Sequence, residues 1–245
     1  MINGLILAFE FFSRLPVKKN VDFTKENISY SVFFMPLVGL TLGLISAIFF
    51  NLIVQYDRLI ASFLTVAIMM ILTGGLHIDG LSDTFDGFLS NRNKEKTIEI
   101  MKDSRIGTFG TIAIIFVVLG KILLIYRITK NINAAIIFSM GNSRLATSMN
   151  IAHKKCAKNE GLGFLFYNSK PSNKVIVSTA VYVLFILIEN IYNIIPLLAT
   201  VLLNLTFAKW ADRKIGGITG DINGATIELG EMISLLAYWG ISQWI

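Results

Sequence analysis

The chain has 245 residues, of which 54% are hydrophobic and only 16% charged, with a mean hydropathy of +0.65. Soluble domains carry about 25% charged residues, and here the apolar residues come in long blocks rather than in a period that leaves one polar face, which excludes an ordinary soluble domain. The net charge of +6 is not accompanied by the interleaved aromatic and basic residues that bind single strands. Nucleic acid is therefore excluded as a partner, and the charge is assigned to loops beside a membrane. Cys156 is the one cysteine, so no intrachain disulfide, thiolate metal site or redox pair can form.

Residues 1–20 mix Phe and Leu with Glu10, Arg14 and Lys18 and read as an amphipathic helix in the membrane interface. Glu10 interrupts the apolar stretch and positive charge follows it, so no signal peptide is expected. Seven apolar blocks come next, at residues 29–54, 59–76, 109–126, 134–152, 175–188, 191–208 and 221–245. Blocks of about 20 apolar residues match a bilayer core about 30 Å thick. The predicted fold is all-α: a polytopic membrane bundle of six to seven transmembrane helices, a single domain over residues 1–245. The block at 175–188 is short for a span, and that at 221–245 is polar in its first half.

Assigning the loops to alternate sides puts 17 Lys and Arg on one side and 3, namely Arg58, Arg127 and Lys130, on the other. Basic residues concentrate in cytoplasmic loops, so the richer side is predicted to face the cytoplasm. Lys121 and Arg144 fall inside blocks; Lys121 reads as a snorkelling residue without a role.

The stretch GGLHIDGLSDTFDG at 74–87 follows an almost pure hydrocarbon run. On a helix, Asp79, Asp83 and Asp86 fall at about 0°, 40° and −20°, sharing one narrow stripe. Like charges so placed repel, and near a bilayer the arrangement is costly without a cation. Oxygen-only ligands favour Mg²⁺ or Mn²⁺ over zinc. His77 falls at about 160°, on the opposite face, and reads as a supporting residue rather than a metal ligand. The bland alternative is an acidic helix start steadied by its dipole.

Two further polar clusters lie on the same predicted side. In MKDSRIGTFG at 101–110, Asp103 and Arg105 are candidates for metal and phosphate; the alternative is a capped helix start with Asp103 as N-cap and Gly107 in a turn. In GGITGDINGATIELGE at 216–231, Gly216, Gly217 and Gly220 could wrap phosphate before a helix. Asp221 and Glu228 share a face of that helix, and Glu231 extends the stripe. The alternative is a Gly-rich C-cap followed by a half-buried helix. Arg144, in GNSRLATS, is a phosphate-binding candidate or one half of a structural ion pair.

Acidic clusters on two segments, with arginines and glycines, at one membrane edge suit phosphoryl or diphosphate chemistry, in which positioning and electrostatics supply most of the catalysis. Membrane CDP-alcohol phosphotransferases and membrane prenyltransferases share parts of this pattern. An ion transporter would instead place acids along a midplane path.

The blocks FFSRLPV at 11–17, FMPLVGLTLG at 34–43, GGLHIDGLSDTFDG, MKDSRIGTFG, EGLG at 160–163 and GGITGDINGATIELGE together resemble the cobalamin synthase family, the adenosylcobinamide-GDP ribazoletransferases. The resemblance implies a multi-pass enzyme of a prokaryotic cytoplasmic (inner) membrane, acting at the last step of cobalamin nucleotide-loop assembly with Mg²⁺ as cofactor. Its substrates would be adenosylcobinamide-GDP and α-ribazole or its 5′-phosphate; a homo-oligomer is admitted. Carried onto this chain, it implies Asp79, Asp83 and Asp86 as metal ligands, with Asp83, Asp86, Asp221 and Glu228 as catalytic carboxylates. Arg105, Arg144, Asp103, His77, Gly216, Gly217, Gly220 and Glu231 would bind substrate. The active-site segments would be 77–108 and 209–231, at the cytoplasmic edge.

Overall fold

A computed structural model of the chain describes residues 1–17, 19–157 and 160–244. Lys18 and Lys158, counted above among the basic residues of the richer side, lie outside the described residues. Among the described residues the secondary structure is helical, apart from one isolated bridge between Cys156 and Ile218. The helices are α1 (Ile2–Phe12), α2 (Lys25–Ile53), α3 (Arg58–Thr73), α4 (Leu76–Leu89), α5 (Lys94–Ile100), α6 (Thr108–Arg127), α7 (Ile132–His153), α8 (Gly161–Asn168), α9 (Ser172–Glu189), α10 (Ile194–Ile215) and α11 (Gly220–Ser242).

The seven apolar blocks become α2, α3, α6, α7, α9, α10 and α11. Among the described residues, four helical segments are long and apolar enough to cross a bilayer: α2, α6, α9 and Ile191–Ile215. The bent pair α3 and α4 makes a fifth. The expectation of six to seven spans therefore falls to four or five by length and composition. α7 and α11, with 22 and 23 residues, have the length but not the apolarity. Their Asn142, Ser143, Arg144, Glu228 and Glu231 are buried inside the bundle, so protein rather than lipid surrounds these polar groups. The chain is an all-α polytopic membrane protein.

Backbones approach closely where glycines allow it. A Cβ on Gly43 of α2 would stand 2.7 Å from Ile137 Cα, and one on Gly39 2.8 Å from the Met140 carbonyl carbon, both in α7. This small-xxx-small pair lets α2 and α7 pack without a hydrophobic driving force between helices, and it explains the glycines of FMPLVGLTLG.

α3 ends at Gly74 and Gly75, both left-handed with φ of 66° and 73°, a region that favours glycine. The chain turns by 91° there into α4. The backbone N–H of Arg14 donates to Leu72 O at 2.7 Å, so the FFSRLPV block is clipped to the bend. α1 packs on α2 through Leu7, Ala8 and Phe12 and ends at Phe12, short of the 20 residues expected for the interfacial helix.

The loops gather at two opposite ends. At one, Arg58 Nε donates to Tyr126 O at 2.7 Å, Asn51 Nδ2 to Asn133 Oδ1 at 2.9 Å, and Tyr238 Oη to Asn193 Oδ1 at 2.8 Å. At the other, Ile218 N donates to Lys155 O and Ala157 N to Ile218 O, each at 2.9 Å. This is the alternation on which the Lys and Arg count rests.

Candidate active site

The two acidic motifs meet where α4 crosses α11. A Cβ on Gly80 would lie 2.7 Å from Asp221 O and 2.9 Å from Asp221 Cα; one on Gly224 would lie 3.2 Å from His77 Cα. Glycine on both helices therefore sets the crossing. α11 is capped by Thr219, whose Oγ1 accepts from Ile222 N at 3.3 Å and donates to Asp221 Oδ2 at 3.2 Å.

Beside this crossing is a cavity of about 250 Å³. Its wall takes in the first turn of α4 (Leu76, His77, Asp79) and the start of α11 (Gly220, Asp221, Asn223, Gly224). Phe11 and Phe12, Met35, Thr147, Ile151, Leu162, Gly163, Phe166, Tyr167 and Ile227 complete it. Five of the six blocks singled out in the sequence thus meet at one place. The sixth, MKDSRIGTFG, is tied in through Asp86. His77 is buried with its Nδ1 unpartnered. Although it faces away from the acidic stripe, it reaches the cavity because α4 begins at Leu76 and its first turn lines the cavity through Leu76, His77 and Asp79.

Asp79 is exposed and Asp221 half-buried on the cavity wall. Asp83, half-buried, sits one turn on from Asp79. Asp86 is engaged elsewhere: its carboxylate accepts from Gly107 N at 2.7 Å and Gly110 N at 2.9 Å. It thereby satisfies N–H groups at the start of α6, where a negative charge also meets the positive end of the helix dipole. Among the described residues, no three His, Cys, Asp or Glu side chains are gathered so as to hold a metal ion by themselves.

Asp103 is not a helix N-cap; Gly107 holds that place on α6. Asp103 instead clasps Arg105, with Nε to Oδ1 at 3.0 Å and Nη2 to Oδ2 at 2.7 Å. Hydrogen bonds from the Arg105 side chain and backbone hold the Asp103 carboxyl down to about 2, so the clasp is intact at neutral pH. Gly216 is the left-handed C-cap of α10, and Gly217 lies against the backbone of 155–157. Of the three glycines, Gly220 alone lines the cavity.

Glu228, Glu231 and Arg144 lie deeper, in a buried ion network with Lys121 that leaves Arg144 Nε and Nη2 without hydrogen-bond partners. Lys121 Nζ donates to Glu228 Oε2 at 2.6 Å and also to Glu231, while Arg144 Nη1 pairs with Glu231. The four residues are 1–3% exposed. Lys121 is therefore no snorkelling residue, and the ion-pair alternative for Arg144 is the arrangement found.

Comparison with known proteins decides the family. The chain matches the description "Cobalamin-5-phosphate synthase" over residues 4–239. It belongs to the cobalamin-5-phosphate synthase family. Similar proteins called adenosylcobinamide-GDP ribazoletransferase include those of Clostridium tetani, 37% identical over 97% of this chain and 96% of the relative, and Treponema denticola, 35% identical over 96% of each. The Escherichia coli K12 protein is 34% identical over 93% of this chain and 95% of its own length. No solved structure matches the chain. As a cobalamin-5-phosphate synthase family member, the chain is a transferase of cobalamin biosynthesis acting at the last step of nucleotide-loop assembly.

Several residues of this family member escaped the sequence reading. Phe166 and Tyr167 lie on α8, an eight-residue helix too short to show a period. Their signal was proximity: they follow the EGLG block by one turn. Asn223, within GGITGDINGATIELGE, hydrogen-bonds Tyr167 Oη through Nδ2 at 3.1 Å and had been given no role.

Proposed function

We propose that the chain joins α-ribazole, or its 5′-phosphate, to adenosylcobinamide-GDP at the cytoplasmic face of a prokaryotic cytoplasmic membrane, giving adenosylcobalamin, or its phosphate, and GMP. One observation carries the reading: five family blocks line a single cavity that has Asp79 and Asp221 on its wall. The concentration of Lys and Arg on the loops of that end supports the orientation.

In this reading a free ribose hydroxyl of the nucleoside, other than the 5′-oxygen that carries phosphate in the 5′-phosphate, attacks the phosphorus attached to cobinamide. A new P–O bond forms, the P–O bond to GMP breaks, and GMP leaves with the electron pair. The hydroxyl proton passes to a carboxylate. Asp83, half-buried one turn along α4 from Asp79, is assigned that role. Arg105, exposed just before α6, is assigned to substrate phosphate.

The donor set fits Mg²⁺. That ion is usually held by one or two carboxylates together with substrate phosphates, and Asp79 and Asp221 share one cavity wall. These two residues would hold it, and when bound it neutralises charge on the diphosphate. The metal set expected from sequence is thereby changed: Asp79 stays, Asp221 joins it, Asp83 takes the proton and Asp86 holds α6.

The test is direct. Purified protein in lipid nanodiscs receives adenosylcobinamide-GDP, α-ribazole and Mg²⁺, and corrinoids and nucleotides are separated chromatographically. Cobalamin and GMP appearing in equal amounts are expected; no cobalamin from folded protein rejects the reading.

A further inference from the structure

The cavity is selective by size. Its volume of about 250 Å³ lies below the roughly 300–1,000 Å³ of sites that enclose drug-sized ligands. It is too small for a macrocyclic corrinoid and suits a bicyclic ring or a small nucleoside.

Its walls differ in chemistry. On one side stand three rings from α1 and α8. Phe11 and Phe166 have centroids 4.6 Å apart at an interplanar angle of 43°, and Phe12 stands 5.6 Å from Phe166 at 59°. Such a tilted cluster offers both faces and edges to a flat aromatic guest. On the α4 side stands His77, 5% exposed, with Nδ1 lacking any hydrogen-bond partner. Buried polar atoms are almost always paired, so one left unpaired in a cavity wall points to a ligand atom. A neutral imidazole carries one donor and one acceptor nitrogen, and Nδ1–H can donate to an unprotonated ring nitrogen. Asp79 and Asp221, on the same wall, are placed to meet the sugar end of such a guest rather than its ring.

We propose that this cavity seats the flat aromatic base of the nucleoside substrate, with the Phe11–Phe166 pair against the ring and His77 Nδ1 hydrogen-bonded to a ring nitrogen, while the corrinoid stays outside. The inference rests on the reaction proposed above and adds which substrate occupies which part of the site.

Two readouts test it in the full-length protein in nanodiscs. In the first, KM is measured for α-ribazole and for adenosylcobinamide-GDP separately, in wild type, His77→Ala, His77→Gln and Phe166→Leu. His77→Ala is expected to raise KM for α-ribazole about ten-fold, the loss of one buried hydrogen bond. His77→Gln, which keeps a donor, recovers part of that loss, and KM for adenosylcobinamide-GDP moves less than about two-fold. Equal shifts in both KM values, or a shift confined to adenosylcobinamide-GDP, overturn the proposal. The second readout uses no turnover: intrinsic benzimidazole fluorescence of α-ribazole is titrated with each protein, whose fold is checked by thermal melting. Wild type is expected to bind α-ribazole and His77→Ala to bind about ten-fold more weakly. Equal affinity, or no binding to wild type, overturns the proposal. Failure of wild type to form cobalamin while this titration succeeds rejects the reaction and leaves the base site standing.

Discussion

Gly80 of α4 lies directly against the backbone of Asp221 at the start of α11. A methyl group in place of its hydrogen would stand 2.7 Å from Asp221 O. No flexible side chain is there to yield, so the helices themselves must part, and with them the two acidic motifs. Overpacking of this kind typically costs about 1–3 kcal/mol.

Gly80→Ala is therefore expected to lower the melting temperature of the detergent-purified protein and to reduce kcat/KM at least ten-fold. Gly240→Ala serves as control, because a Cβ there meets open space. It should leave both quantities unchanged or raise stability slightly through helix propensity. Equal behaviour of the two variants would show that the crossing tolerates separation.

Asp86 is expected to behave as a structural carboxylate. Asp86→Ala leaves Gly107 and Gly110 N–H groups without their acceptor, and loss of a helix cap costs about 1 kcal/mol. Asp86→Asn keeps one acceptor oxygen and should retain more stability. Neither should change the Mg²⁺ concentration needed for half-maximal rate. A raised Mg²⁺ requirement in Asp86→Asn would return this residue to the metal.

The ion network predicts an asymmetry between single and double substitutions. Lys121→Met strands Glu228 in the bundle, and breaking a buried pair by removing one partner costs about 3–5 kcal/mol. Lys121→Met combined with Glu228→Gln removes the stranded charge and should recover part of that loss. Thermal melts of the single and double variants measure it; additive losses would mean that the two side chains do not interact.

Metal dependence follows from Asp79 and Asp221. Chelation by EDTA should abolish cobalamin formation and added Mg²⁺ should restore it. Asp79→Asn should raise the Mg²⁺ needed for half-maximal rate by about ten-fold or more, as one of two protein carboxylates is lost. Full activity in EDTA would remove the metal from the account.

The helical frame was legible because bilayer thickness imposes it: seven apolar runs of helical length became seven helices. The glycine pair at 74–75 forms the 91° bend between α3 and α4, which helical periodicity alone does not show. Helical angles correctly set Asp79, Asp83 and Asp86 on one stripe, yet an angle cannot say what lies opposite. The start of α6 stands opposite Asp86, and that is a tertiary fact. Lys121 was illegible for a related reason. A single lysine in an apolar block carries no sign of its partner, and Glu228 lies 107 residues away. The α1 and α8 walls of the cavity needed the fold, because their phenylalanines look like ordinary membrane residues in sequence.

The central claim is that the motifs around Asp79 and Asp221 form one site acting on one substrate group. A double-mutant cycle on kcat/KM measures this most directly, using Asp79→Asn, Asp221→Asn and the pair, all in folded protein. Residues that act as a unit are strongly non-additive. The double variant is therefore predicted to be hardly slower than the worse single variant. Losses that multiply fully would place the two carboxylates in separate roles and contradict the account.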